Sequence, residues 1–273
     1  MRFLREVHQF SIRRACQCLK LARAAWYQPV RDRVERDMPV ATALSELADA
    51  KPGLGFWKLF RRLRRQGHRW NHKRVHRIYC RLGLNRRRRT RKRVPARNPQ
   101  PLSVPSRPNQ VWSADFMSDA LYNGVRFRTF NVLDDFNREA LSIEIDTSLA
   151  SERLVRVFEQ LKAERGLPDV LRTDNGPEFL GEVFTSWCEA NGVMIDYIEP
   201  GKPNQNAYIE RFNRSYRNEV LDTWLFRDLD EVREISWAWM LEYNEERDHD
   251  SLGGLTPAEL LQQAENSTFE WSA

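Results

Sequence analysis

The chain is 273 residues long, 41% hydrophobic and 30% charged, with a formal net charge of +6. That length holds one sizeable domain and one or two small ones. No uncharged apolar run approaches the roughly 20 residues that span a bilayer, and the charged start at Arg2, Arg5, Glu6 and His8 is unlike a signal peptide, so membrane and secretory classes are not expected.

The modest net charge hides a division. Residues 1–50 sum to +3, Lys51 through Ala114 carry 20 Lys and Arg with no Asp or Glu, and residues 115–273 sum to −17. Ordinary solvated faces mix both signs, whereas here the opposite sign is missing for 64 consecutive positions. Such a stretch predicts a polyanion-binding module, with nucleic acid as the natural partner through phosphate neutralisation and counterion release. Cys16, Cys18, Cys80 and Cys188 lack zinc-type pairing, and reduced thiols in an intracellular chain are expected.

Residues 1–38 read as a short helical segment, with two helices around a turn over 11–27 and Ser11 as an N-cap. Arg31 to Asp37 reads as a mixed-charge connector, and Val40 to Ala50 as a helix stopped by Pro52-Gly53. The basic module spans 39–94. There Phe56, Leu59, Phe60 and Leu63 recur at helical intervals and leave Arg61, Arg62, Arg64 and Arg65 on the other side. Gly67 ends that helix. Asn71 caps a second one, whose stripe Val75, Ile78, Tyr79 and Leu82 stops at Gly83. Two Arg-loaded helices around a short turn predict a helix-turn-helix on DNA. Its candidate contacts are Arg74 and Arg77 on the second helix, with Arg86, Arg87, Arg88 and Arg89 beyond it. His68, His72, His76 and Cys80 fall four apart and invite a zinc reading, but Gly67 and Asn71 place His68 before the helix begins. Residues 95–110, with Pro95, Pro99, Pro101, Pro105 and Pro108, make an extended linker.

Residues 111–262 read as strands Val111–Met117, Phe127–Leu133, Ala140–Ile145, Val170–Thr173 and Met194–Ile198, with helices Glu152–Arg165, Leu180–Ala190 and Gln205–Trp224. A last helix, about Leu229 to Tyr243, turns Val232, Ile235, Trp239 and Tyr243 inward, and 263–273 reads as a tail. Three strands on short turns, then strands alternating with helices, predict a layered α/β domain. Asp115 falls mid-strand, Asp174 at a strand end before Asn175-Gly176, and Glu210 on an amphipathic helix beside the stripe Ile209, Phe212, Tyr216 and Val220. At roughly 100° per residue, Asn206 and Arg217 cluster with Glu210, and Arg214 lies just beyond. Three carboxylates brought together resist ionisation unless a cation sits between them. Hard oxygen ligands suit Mg²⁺ or Mn²⁺. Spacing alone leaves rivals: Asp134 and Asp135 compete with Asp115, Glu178 competes with Asp174, and Glu210–Arg214 fits a surface i,i+4 pair.

The words around the three acids carry more. W-S-A-D-F-M at Asp115, T-D-N-G-P-E-F at Asp174 and N-A-Y-I-E-R-F-N-R-S-Y-R-N-E at Glu210 resemble the DDE superfamily of transposases and retroviral integrases. The likeness is strongest to the second-reading-frame product of bacterial insertion sequences, from about Lys51 to about Leu260. It implies an RNase H-like integrase catalytic core preceded by a small basic all-α helix-turn-helix region. It also implies that Asp115, Asp174 and Glu210 are catalytic and hold two Mg²⁺ (or Mn²⁺) ions, with Asn206, Arg214 and Arg217 touching DNA. The implied activity is nicking of element ends and joining of the 3′-OH to target double-stranded DNA, by a homo-multimer in the bacterial cytoplasm at the nucleoid. An upstream-frame protein or fusion is an expected partner, because no leucine zipper is legible after Met1. Departures from the family pattern are Asp248 where Pro is usual before His249, and Arg217 where Lys is common. Two other readings stay open: a catalytically inert DNA-binding regulator of transposition, and an RNase H-like nuclease without strand transfer.

Overall fold

The computed structural model describes residues 2–27, 33–85, 104–199 and 203–270. The chain divides into two compact units, Met1–Arg87 and Arg88–Ala273. Among the described residues no helix is long and apolar enough to cross a membrane.

The described elements of the first unit are helices: α1 (Arg2–Glu6), α2 (Ile12–Cys18), α3 (Ala24–Tyr27), α4 (Arg33–Ala50), α5 (Phe56–Arg65) and α6 (His72–Arg81). Ser11 Oγ accepts the Arg14 N–H at 3.3 Å and starts α2, and Asn71 Oδ1 accepts the Lys73 N–H at 2.8 Å and starts α6. Gly67 follows α5 at φ +89°, a left-handed conformation that costs glycine little. Val40, Leu44, Leu59, Leu63, Val75, Ile78 and Tyr79 share one buried core. Helix α4 begins at Arg33 and runs through Pro39, well before the expected start at Val40. A long-range contact explains the difference. Asp37 is buried and meets Arg74 Nε at 3.1 Å, Arg77 Nη2 at 2.9 Å and Arg81 Nη1 at 3.8 Å, all from α6. That cluster holds the first turns of α4 in place despite the hydrogen bond that Pro39 cannot donate.

The second unit is built on one sheet. Strands β1 (Val111–Ala120), β2 (Arg126–Asp134), β3 (Ala140–Asp146), β4 (Val170–Thr173) and β5 (Met194–Tyr197) lie in the order β3-β2-β1-β4-β5. The pairs β1–β2 and β2–β3 are antiparallel, while β1–β4 and β4–β5 are parallel. Parallel neighbours need crossovers, which are supplied by α7 (Ser151–Arg165) and by α8 (Pro177–Leu180) with α9 (Glu182–Ala190). Helices α10 (Ala207–Tyr216), α11 (Leu229–Glu245) and α12 (Pro257–Glu270) follow. Because side chains alternate along a strand, the sheet buries two cores. Trp112, Ala114, Phe130 and Val132 pack with Phe158 and Phe184, whereas Phe127, Leu133 and Ile145 pack with Phe212, Tyr216, Trp239 and Tyr243. An antiparallel meander extended by two parallel strands, with helices on both faces, is the RNase H-like fold.

Several elements differ from the sequence reading. Strand β1 continues past Met117 because Ser118, Asp119 and Ala120 stay paired with Arg128, Phe127 and Arg126. The helix expected over Leu180–Ala190 is α9, which starts at Glu182; Leu180 instead closes the short α8, and at Gly181 between them a Cβ would lie 2.3 Å from Ser151 Oγ. The helix expected over Gln205–Trp224 is a 3₁₀ turn (Pro203–Asn206), then α10, then a π-helical turn (Arg217–Leu221). In that turn the Asp222 N–H reaches Arg217 O at 2.7 Å, which lets both Val220 and Leu221 bury. Helix α12 extends through residues that the sequence reads as a tail. Its start is a capping box: the Glu259 N–H donates to Thr256 Oγ1 at 3.1 Å, and the Thr256 N–H donates to Glu259 Oε2 at 2.8 Å.

Candidate active site

Strand alternation turns Trp112 and Ala114 into one core and leaves Asp115 on the opposite face, toward α10. Asp115 is half-buried. Its Oδ1 accepts the Phe116 N–H at 2.8 Å, and its Oδ2 accepts the Asn213 Nδ2–H at 2.8 Å. Asn213 is buried, and its Oδ1 accepts from Asn131 Nδ2 at 2.7 Å. Asn131 is the residue directly across from Asp115 on β2. Glu210 lies one turn before Asn213 on α10 and is exposed. The same bond therefore docks the helix carrying Glu210 onto the strand carrying Asp115.

Asp174 arrives from the other neighbour. Strands β1 and β4 pair in parallel with Ser113 opposite Arg172 as the last pair, so Asp115 and Asp174 each lie two residues beyond it. Asp174 Oδ1 accepts the Gly176 N–H at 3.0 Å, closing an Asx turn. A Cβ on Gly176 would stand 3.0 Å from Asp174 Oδ1 and 3.3 Å from Glu178 Oε2, so glycine there keeps the carboxylate accessible. Burial pushes Asp115 up to about 6, the Phe116 and Asn213 hydrogen bonds oppose that rise, and the charges of Asp174 and Glu210 add to it. Asp115 thus feels both other acids. Among the described residues no three His, Cys, Asp or Glu side chains stand close enough together to hold a metal ion outright. The donor chemistry nonetheless fits a hard divalent cation, whose charge would offset the burial and repulsion that raise the Asp115 pKa.

The competing acids are engaged as well, Glu178 beside Asp174 at Gly176. Asp134 accepts the N–H groups of Asn109 and Phe136 at 2.9 and 2.8 Å. Asp135 accepts from Ser113 Oγ at 2.6 Å and Arg172 Nη1 at 3.1 Å, and burial pushes it up to about 6. Glu178 pairs with Arg128, whose guanidinium lies 4.3 Å over the Phe116 ring. Of the expected DNA contacts, Arg214 is exposed, while Arg217 bonds Asp119 Oδ2 at 3.2 Å and Ser118 O at 2.8 Å. Asn206 is buried, and its Oδ1 lacks a hydrogen-bond partner. The strip of Asn206, Glu210 and Arg217 assumes one continuous α-helix, and the 3₁₀ and π turns at either end break it up. Arg74 and Arg77 hold Asp37 in the first unit. Arg86, Arg87, Arg88 and Arg89 lie outside the described residues. His249 packs edge-on against Tyr243 with ring centres 5.0 Å apart.

The Integrase core domain family matches residues 105–203, and a second family of the same description matches 191–257. The insertion element IS407 31.7 kDa protein of Burkholderia multivorans is 38% identical over 259 residues, covering 95% of this chain and 93% of that one. The chain belongs to the insertion-sequence transposases of the DDE transposase and retroviral integrase superfamily. A transposase for insertion sequence element IS629 from Shigella sonnei is 26% identical over 57% of this chain and 53% of its own length. Among solved structures, the HTLV-2 integrase catalytic core domain in complex with magnesium aligns at TM-score 0.45 and 22% identity, over 56% of this chain and 97% of that one.

Within this transposase Asp115 and Asp174 are half-buried and Glu210 is exposed. A groove of about 430 Å³ runs along β3 between α7 and α11 and includes none of the three acids. Asn131 and Asn213 escape the sequence reading altogether. Their signals are faint: one asparagine inside the apolar run Phe130-Asn131-Val132-Leu133, and another beside Phe212 on the buried stripe of α10.

Proposed function

We propose that this transposase nicks DNA at insertion-element ends and joins the freed 3′-OH to target DNA by metal-dependent transesterification. Asp115, Asp174 and Glu210 are the catalytic carboxylates and the ligands of two Mg²⁺ or Mn²⁺ ions. The observation that carries this reading is membership of the insertion-sequence transposases, with the Integrase core domain match over residues 105–203 and the relative 38% identical over 95% of this chain; the bond from Asn213 on the Glu210 helix to Asp115 supports it. A bound pair of such ions supplies an activated attacking oxygen and a stabilised leaving oxygen for in-line displacement at phosphorus.

The residues have separate duties. Asp115 keeps a second lone pair on each carboxylate oxygen after its two hydrogen bonds. Asp174 is held by its Asx turn at the end of β4, and Glu210 is presented from the first turn of α10. Water first cleaves one phosphodiester and leaves a 3′-OH. That hydroxyl then attacks a target phosphodiester and displaces the target's own 3′ oxygen. Neither step needs a covalent bond to a Ser or Tyr side chain. Double-stranded DNA is both donor and target, and pairing two ends calls for a homo-multimer. Arg214 beside Glu210, Arg86 to Arg89, and the basic residues of the first unit other than the Asp37 partners Arg74, Arg77 and Arg81 are its phosphate contacts.

Asp115→Asn, Asp174→Asn and Glu210→Gln should each abolish Mg²⁺-dependent nicking and joining while gel-shift affinity for DNA is kept. Full activity in any one of them removes that residue from the site. Joining of a pre-cut 3′ end to plasmid DNA separates a transposase from a nuclease that only hydrolyses.

A further inference from the structure

We propose that Asn213 is a positioning residue of this site: its side-chain amide, oriented by Asn131, locks Asp115 and the Glu210 helix into one arrangement for divalent-metal binding. The inference rests on Asp115 and Glu210 being metal ligands.

The geometry is directional at both ends. Asn213 Oδ1 accepts from Asn131 Nδ2 at 2.7 Å, which leaves Asn213 Nδ2 as the donor facing Asp115 Oδ2 at 2.8 Å. A flipped amide would set oxygen against carboxylate and donor against donor, losing both bonds. Asp115 is thereby held at Oδ2 by Asn213 and at Oδ1 by the Phe116 N–H. Both oxygens keep a lone pair for a cation.

The bond also crosses from β1 to α10. Apolar contacts of Ile209, Phe212 and Tyr216 hold that helix down but set its rotation and height only loosely, whereas a hydrogen bond fixes both. Glu210 stands one turn away and inherits that placement. Residue type matters as well. An amide donates without bringing charge: a Lys or Arg here would take the cation's place, and an Asp would lose the donor. The pair is not an efficient packing device, because Asn131 is fully buried and its Oδ1 has no hydrogen-bond partner. An apolar pair would fill the space without stranding that oxygen.

The test is Mn²⁺ titration of the full chain, with free ion read by electron paramagnetic resonance, on wild type, Asn213→Leu, Asn213→Ala and Asn131→Leu. Both Asn213 variants should bind Mn²⁺ about 10- to 100-fold more weakly, and Asn131→Leu should weaken it less. Metal-free DNA affinity should match wild type, and each variant should melt slightly lower because it leaves one buried amide group of the Asn131–Asn213 pair unsatisfied. In strand-transfer assays the apparent KM for Mg²⁺ should rise, with kcat recovered at high Mg²⁺. Folded Asn213→Ala that binds Mn²⁺ as wild type does overturns the inference alone, and so does a lowered melting temperature with unaltered Mn²⁺ affinity. Wild type that takes up no Mn²⁺ overturns the metal reading and this inference together.

Discussion

In its proposed role Asp115 sets metal binding against the stability of the metal-free fold. Its folded pKa is about 6, raised first by burial and further by two like charges, against an ordinary value of about 3.9. A raised carboxyl pKa means the metal-free fold holds the extra proton, so stability is lost as pH rises from the ordinary value through about 6. Asp115→Asn should therefore raise the metal-free melting temperature at about pH 8 and leave it unchanged at about pH 4, as scanning calorimetry can read. Metal uptake needs the ionised form and should fall as pH drops through about 6. The sequence singles out the three acids as candidates because each sits in a distinctive local word. Asn213 is not singled out, because its value depends on Asn131, which is 82 residues away in the chain.

At the scale of elements, close approach and long-range pairing decide where helices begin and end. Gly181 divides α8 from α9 because Ser151 Oγ, which donates to Glu178 O at 2.8 Å, leaves no room for a Cβ. Gly181→Ala should displace that hydroxyl and destabilise the second unit by about 1–3 kcal/mol, measurable as a lower urea midpoint. In the first unit, Asp37 is pulled up by burial but brought below the ordinary carboxylate value by the Arg74 hydrogen bond and the charges of Arg77, Arg74 and Arg81. A depressed pKa stabilises above about 3.9, and that stabilisation is lost as pH falls through the lower folded value. Asp37→Ala should speed amide hydrogen exchange in α4 and α6 at neutral pH, and α4 should fray first from Arg33. The extra length of α4 was invisible in sequence because Pro39 and mixed charge read locally as a connector, while the compensating arginines lie on α6.

For the whole molecule, the division of charge is the dominant feature. Lys51 to Ala114 carry 20 basic residues and no acidic ones, and the remainder from Asp115 sums to −17. Affinity for DNA should then be steeply salt-dependent. Replacing Arg86, Arg87, Arg88 and Arg89 together by Ala should lower the slope of log affinity against log salt by about 3 to 4, if each meets a phosphate. Arg74→Gln should instead lower stability with little change in slope, because its guanidinium is held by Asp37 and the Arg36 carbonyl. Titrating salt with each variant distinguishes residues that meet DNA from those that hold the unit together.

By itself the sequence determined the family, the order of strands and helices and the basic stretch, and it singled out three candidate acids. All of these are written in local words, periodicity and charge, which depend on neighbours a few residues away. Tertiary structure decided that the strands leading to Asp115 and Asp174 are parallel neighbours, that α10 is fastened through Asn213, that its helix tightens at one end and widens at the other, and that Arg74 and Arg77 hold Asp37. Those outcomes depend on strand register and on burial beside partners distant in the chain, and a directional hydrogen bond between two such groups exists only once both have been brought to the same place.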